Sequence, residues 1–209
     1  MAKVREKQLQ KRKHEALDAA MRLLMERGYA NLNMDELAEE VGISKPTLYQ
    51  YFNSKEELVA QAMIRTFQKL EARISDLSDK PPLEQLEQFL RSMLRARHEN
   101  RSIMAQIDVE IMRSIVRHYP NTVEHLVTTK SKLIEVVSKA QEQGEVDPEL
   151  PAWVVVNMMF SLQGIIKNPF MKDDPQRSDE EVAEAIEAIV RMFKRSISVG
   201  SPVETPVLR

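Results

Sequence analysis

The sequence predicts an all-α protein: an N-terminal three-helix helix-turn-helix domain followed by a larger helical domain. Three observations carry this expectation. Apolar residues recur at three- and four-residue spacing along most of the chain, with no sustained alternation of apolar and polar residues. Glycine (5) and proline (10) are sparse, and many of them lie between the periodic runs, where they end helices. Residues 33–58 crowd several helix starts into one stretch, with a very short helix lying between two turns.

Taken in order, the first helix is expected from about Gln8 to Arg27, with Leu17, Ala20, Met21 and Leu24 on one face. Gly28-Tyr29 ends it just past a basic last turn. Asn33 can cap a second helix, 33–41, with Glu36 placed to reach back and Leu32 and Leu37 at staple spacing. Val41-Gly42-Ile43 supplies the glycine that a left-handed helix end requires. Ser44 can cap a third helix, 45–51, with Pro46 tolerated in its first turn and Ile43 and Leu48 again at staple spacing. Ser54 and Glu57 read as a capping box opening a fourth helix from 55 to about 76. That helix carries Leu58, Met63, Phe67, Leu70 and Ile74, and its length makes it a bridge out of the first domain. Helix, glycine turn and short helix form the helix-turn-helix pattern, whose second helix normally enters the major groove of DNA.

Asp79-Lys80-Pro81-Pro82 is the clearest break that follows. Leu83, Leu86, Phe89, Leu90, Met93 and Leu94 then mark a fifth helix. Ile103, Ile107, Ile111 and Ile115 repeat at four-residue spacing before Pro120, and Val123, Leu126, Leu133, Val136 and Val137 mark the next helix, closed by Gly144. The turn Asp147 to Pro151 starts a very apolar helix through Ile166. After the acidic turn Asp173-Asp174-Pro175, Val182, Ile186, Ile189, Phe193 and Ile197 share one face of a last helix, and 198–209 read as frayed.

Composition narrows the function classes. An apolar content of 43% with 30% charged residues is that of a soluble globular chain of 209 residues. With no cysteine, disulfides, thiolate catalysis and Cys-ligated zinc are excluded. Met1 to Lys13 is charged throughout and is no secretory signal, and the longest apolar stretch is too short to cross a bilayer, so a cytoplasmic protein with no membrane partner is expected. The histidines His14, His98, His118 and His125 have no metal-ligand spacing, and neither a phosphate loop nor a nucleophile motif is present. No enzyme, no metal site and no cofactor are expected.

The net charge of −2 looks wrong for a DNA-binding protein until its distribution is read. Lys3, Arg5, Lys7, Lys11, Arg12 and Lys13 face only Glu6 in the first thirteen residues, and Lys45 and Lys55 flank the short helix. DNA needs a local basic face to displace counterions, whatever the bulk charge. The basic N-terminal arm reads either as a flexible extension adding phosphate or minor-groove contacts, or as a solvated terminus.

Residues 13–58 resemble the DNA-binding domain of the tetracycline-repressor (TetR) family of transcriptional regulators. The resemblance rests on Ala16-Leu-Asp-Ala-Ala20, Gly28-Tyr29, Met34-Asp-Glu-Leu-Ala38, Val41-Gly-Ile-Ser-Lys45, Thr47-Leu-Tyr49, Tyr51-Phe52 and Ser54-Lys-Glu-Glu-Leu58. Leu24 stands where the family often has Phe, and Gln50 where His is common. The resemblance implies a DNA-binding domain at 1–54 and a helical ligand-binding and dimerisation domain at 55–209. It also implies a sequence-specific regulator, a repressor released from a palindromic operator by a small-molecule effector; the alternative is an architectural or constitutive regulator without an inducer.

Within the short helix, Leu48 and Phe52 share one face at four-residue spacing, leaving Lys45, Thr47, Gln50 and Tyr51 largely elsewhere. Lys45, Pro46, Gln50 and Tyr51 are assigned to base edges, with Gln50 setting sequence preference. The resemblance makes Thr47, Tyr49 and Lys55 backbone-contacting candidates, and Asn33, at a helix N-terminus, can present amides to a phosphate. In the larger domain, the helices near 151–166 and 179–198 are too apolar to bury within one subunit, which predicts a two-fold homodimer interface. Apolar stripes at 93–115 can line a cavity for the effector, with Arg97, His98, Arg101, Asp108 and Arg113 as polar anchors.

Overall fold

The computed structural model describes residues 2–99, 107, 109–166 and 177–199. Among them there is no strand, and the helices are α1 (Ala2–Arg27), α2 (Met34–Val41), α3 (Lys45–Tyr51), α4 (Lys55–Asp76), α5 (Pro82–His98), α6 (Val109–His118), α7 (Pro120–Glu142), α8 (Ala152–Ser161), α9 (Gln163–Ile166) and α10 (Asp179–Ile197). The expected all-α fold is therefore present. Residues Arg101, Ile103, Asp108, Asp173, Asp174 and Pro175 and the tail from 200 onward lie outside the described residues.

The chain divides into two units, Met1–Leu70 with Glu99–Thr128, and Glu71–His98 with Thr129–Arg209. In the first, α1 contributes Ala16, Ala19, Ala20, Leu23 and Leu24 to a core shared with Leu37 and Ala38 of α2, Leu48 of α3, and Leu58, Met63 and Phe67 of α4. Ile107 and Ile115 join the same core, with Ile111, Met112 and Tyr119 packed partly against it. The i, i+3, i+4 spacing of these residues puts each apolar stripe inward, and burial of the stripes is what holds such short helices.

The helix ends are set by local chemistry. Gly42 (φ 68°) ends α2 in the left-handed region, and the next amide, that of Ile43, donates back to the Ala38 carbonyl at 3.0 Å. The Ser44 Oγ accepts from the Thr47 amide at 3.3 Å, capping α3 as expected. Two caps differ from expectation. Asn33 accepts from the Asp35 amide, but Glu36 turns away from its cap to pair with Arg27 at 2.7 Å. Ser54 accepts from the Glu57 amide, while the Glu57 carboxylate accepts from the Asn53 amide at 2.8 Å, one residue before the cap. Glu36 thus takes a charged partner in place of a neutral amide, while Glu57 takes both the backbone and the side-chain amide of Asn53.

The second unit packs α10 along α5, with Leu86, Phe89, Leu90, Met93 and Leu94 of α5 buried as well as Val182, Ile186, Ile189, Val190, Phe193 and Ile197 of α10. Arg91 donates from Nε and Nη2 to both oxygens of Glu187, at 2.7 and 3.0 Å, clamping the same two helices at their rim. A Ser178–Glu181 capping box opens α10.

Two expectations need correction. α1 already begins at Ala2 where a start near Gln8 was expected, so the basic arm continues the helix; straight-chain residues such as Lys, Arg, Glu and Gln are good helix formers. The apolar helix expected from 151 through Ile166 is broken at Leu162 into α8 and the four-residue α9, with Gly164 two residues on. Glycine lowers helix propensity there, and no buried residue of α9 anchors it.

Candidate nucleic-acid interface

Leu48 and Phe52 are fully buried and make α3 a lid on the first unit's core. Their burial leaves Lys45, Pro46, Tyr49 and Gln50 exposed, so the polar side of the helix faces outward. Thr47 is half-buried, and its hydroxyl lies 2.8 Å from the Ser44 Oγ it helps to fix. Tyr51 is also half-buried: it packs partly against the core, its ring edge-on to Phe52 at 6.4 Å and 81°. Asn33 uses its side chain on the Asp35 amide, so any service to an external anion falls to the backbone amides of that turn.

Lys55, the first residue of α4, is held where it stands by the α1–α2 turn. Its Nζ lies 4.4 Å from the centroid of the Tyr29 ring and donates to the Ala30 carbonyl at 3.4 Å. The Tyr29 hydroxyl in turn donates to Glu56 Oε1 at 3.0 Å. Partial burial lowers the Lys55 pKa, with the neighbouring Glu56 opposing. The Glu56 carboxyl is itself held below its ordinary value, first by its own backbone amide at the helix N-terminus and then by the Tyr29 and Ser54 hydroxyls, against the cost of burial. Spacing along the chain gave no sign of this platform: Gly28-Tyr29 reads only as a helix stop until Tyr29 is seen beneath Lys55.

Lys45 heads α3 and is paired with Asp35 of α2 at 2.7 Å, which raises its pKa. Glu36 and Glu40 of α2 pair with Arg27 and Arg22 of α1 at 2.7 and 2.8 Å. Asp35, Glu36 and Glu40 of the acidic α2 are thus all paired inside the unit. Two cations of the basic N-terminal arm, Arg12 and Lys13 of α1, reach the same neighbourhood. Lys13 Nζ lies 5.5 Å from the Phe52 ring centroid, and Arg12 donates to the Val41 carbonyl at 3.4 Å. Tyr119, at the α6–α7 joint, places its hydroxyl 3.1 Å from the Ser54 Oγ that caps α4.

In the second unit, Arg97 is 9% exposed, and burial lowers its pKa. His98 Nε2 lies 3.0 Å from Asp179, and Arg113 of the first unit is exposed. Among the described residues, no cluster of three or more His, Asp or Glu could hold a metal ion, and no helix is long and apolar enough to cross a membrane.

Comparison with known proteins gives this arrangement relatives. Residues 16–62 match the family described as bacterial regulatory proteins, tetR family. The HTH-type transcriptional repressor KstR of Rhodococcus jostii is 33% identical over 85 residues, covering 41% of this chain; the chain spans only 40% of that repressor's length. Over most of the chain the fold matches solved regulators. One is the transcriptional regulator FadR of Bacillus subtilis in complex with stearoyl-CoA, at TM-score 0.67 and 18% identity over 86% of this chain and 96% of that one. Another is AibR in complex with isovaleryl coenzyme A and operator DNA, at TM-score 0.58 and 24% identity over 87% and 97%.

Proposed function

We propose that the chain is a member of the tetR family of bacterial regulatory proteins, whose model residues 16–62 match, and that it is a dimeric, sequence-specific DNA-binding regulator, a repressor released from a palindromic operator by a small-molecule effector. The observation that carries the reading is the outward polar side of α3, standing on the buried pair Leu48 and Phe52. Lys45, Pro46 and Gln50 read base edges, and Tyr51 does so through the part its packing leaves accessible. Thr47, Tyr49, Lys55 and the α2 amides after Asn33 hold the DNA backbone and set the register. The division of labour falls at 54/55, with residues 1–54 meeting DNA together with Lys55 at the head of α4, and the rest of 55–209 taking the effector and the second subunit. The protein works in the cytoplasm with its DNA and carries out no catalysis.

Two α3 helices in one dimer must stand about 34–36 Å apart to enter successive major grooves. α4 runs from one unit into the next through Leu70 and Glu71, so a shift of α4 alters that spacing. The Tyr119–Ser54 contact offers a second lever, on the N-terminal end of the same helix. An effector acts only through its different affinity for the two arrangements. FadR and AibR, seen with acyl-coenzyme A thioesters, make that the first effector class to try. For the dimer, support comes from large apolar side chains exposed on the isolated chain: Trp153 (60%) and Val154 on α8, Ile165 on α9 and Met192 on α10. A self-complementary patch is the usual way to cover such a surface.

Selection of bound DNA from a random pool, repeated with Lys45→Ala and Gln50→Ala, tests the reading. A palindromic site lost or altered in the variants is expected; an unchanged site, or no enrichment at low salt, refutes it.

A further inference from the structure

Both oxygens of Asp35 meet the Lys45 ammonium, Oδ1 at 2.7 Å and Oδ2 at 3.0 Å. Asp35 sits in the first turn of α2, its own amide tied to the Asn33 side chain, and Lys45 is the first residue of α3. Both side chains are more than half exposed, at 56% and 55%, so this pair adds little to stability and lies open to any partner that approaches α3. The other ion pairs of α2, Glu36 with Arg27 and Glu40 with Arg22, take cations from α1, outside the DNA-reading set. Lys45 alone of that set arrives at the interface with a carboxylate already on its charge.

An ammonium has three N–H donors, and a carboxylate beside it still leaves capacity for another acceptor. What that acceptor is decides the cost. A DNA phosphate would bring a second negative charge next to Asp35, and like charges at that range repel. A guanine edge offers neutral O6 and N7 and brings no such repulsion. We propose that Asp35 is a specificity-determining residue: it holds Lys45 back from phosphates and keeps it for neutral base edges, lowering affinity for arbitrary DNA more than for the operator. This rests on the reading of α3 as the DNA-contacting helix.

The test uses the full chain with two labelled duplexes of equal length, the selected operator and an unrelated sequence, titrated across a salt series. Asp35→Asn keeps the shape and removes the charge. Glu39→Gln, at an exposed acid on the same helix, measures the general effect of one fewer negative charge. Asp35→Asn is expected to raise affinity for the unrelated duplex roughly two- to fivefold, the range an exposed ion pair is worth. The salt slope steepens by up to about 0.9 as Lys45 takes a phosphate. The operator gains less, so the ratio of the two affinities falls. In a Lys45→Ala background the gain shrinks to that of Glu39→Gln. An equal gain on both duplexes, a gain that survives Lys45→Ala, or no gain beyond the Glu39→Gln control overturns the proposal. Absence of binding by the unaltered chain to either duplex at low salt would instead overturn the DNA-binding reading on which it stands.

Discussion

Lys55 and Lys45 carry the same charge into the same interface from opposite surroundings. Lys55 rests on the Tyr29 ring and a backbone carbonyl, and burial lowers its pKa; Lys45 leans on Asp35, which raises its pKa. A cation braced against an aromatic face loses little further freedom when a phosphate reaches it, which suits a positional contact. Lys55→Ala is therefore expected to weaken binding to operator and unrelated DNA alike, and to reduce the salt slope by about 0.9. Tyr29→Leu, which leaves the charge and removes the platform, should weaken both duplexes by less while keeping the slope. Fluorescence anisotropy across a salt series separates the two results.

At the scale of elements, short helices are held by what they bury. α3 has seven residues and buries only Leu48 within its span, with Phe52 as its C-cap, so its position follows from the core beneath it. In the second unit, α5 and α10 bury broad apolar stripes, and the Arg91–Glu187 clamp adds a pH-dependent increment at their rim. The Arg91 guanidinium, opposed by partial burial, holds the Glu187 carboxyl below its ordinary value of 4.5. Below that value the unfolded carboxylate takes a proton that the folded one still refuses, so the unfolded state binds more protons and stability falls as pH falls. The increment is fully present above 4.5 and is lost as pH drops through the depressed folded value. The Glu187 side chain is 41% exposed, so solvent screening keeps the pair at about 1 kcal/mol or less. Glu187→Gln should lower stability to urea at neutral pH by that amount, with the difference closing in acid. A difference that persists or grows in acid would assign the loss to packing.

Across the whole molecule, the exposed apolar residues of α8, α9 and α10 are the feature that one chain leaves unresolved. Trp153 at 60% and Met192 at 64% exposure are large side chains for which water is a poor neighbour. Trp153→Asp is expected to shift the protein from dimer to monomer at micromolar concentration, measured by sedimentation or light scattering. Affinity for the palindromic operator should then drop far more than affinity for a half-site, because the monomer loses the second α3 helix. A variant that stays dimeric and binds normally would move the interface elsewhere.

Much of this was legible in the sequence because the relevant forces are local. Caps, the positive-φ glycine and the three- and four-residue apolar spacing act within a few residues, so α2, α3 and α4 lie almost where the spacing put them. The buried footing of α3, Leu48 and Phe52, was readable for the same reason. The α1 start and the break at Leu162 were misjudged where propensity is weak and packing decides. What only the tertiary structure decided was partnership between residues far apart in the chain: Lys45 with Asp35, Lys55 with Tyr29, Ser54 with Tyr119, and Arg91 with Glu187. A sequence pattern says which side of a helix turns inward, but the neighbour a charge meets depends on how the helices pack, and that neighbour sets what the charge can do.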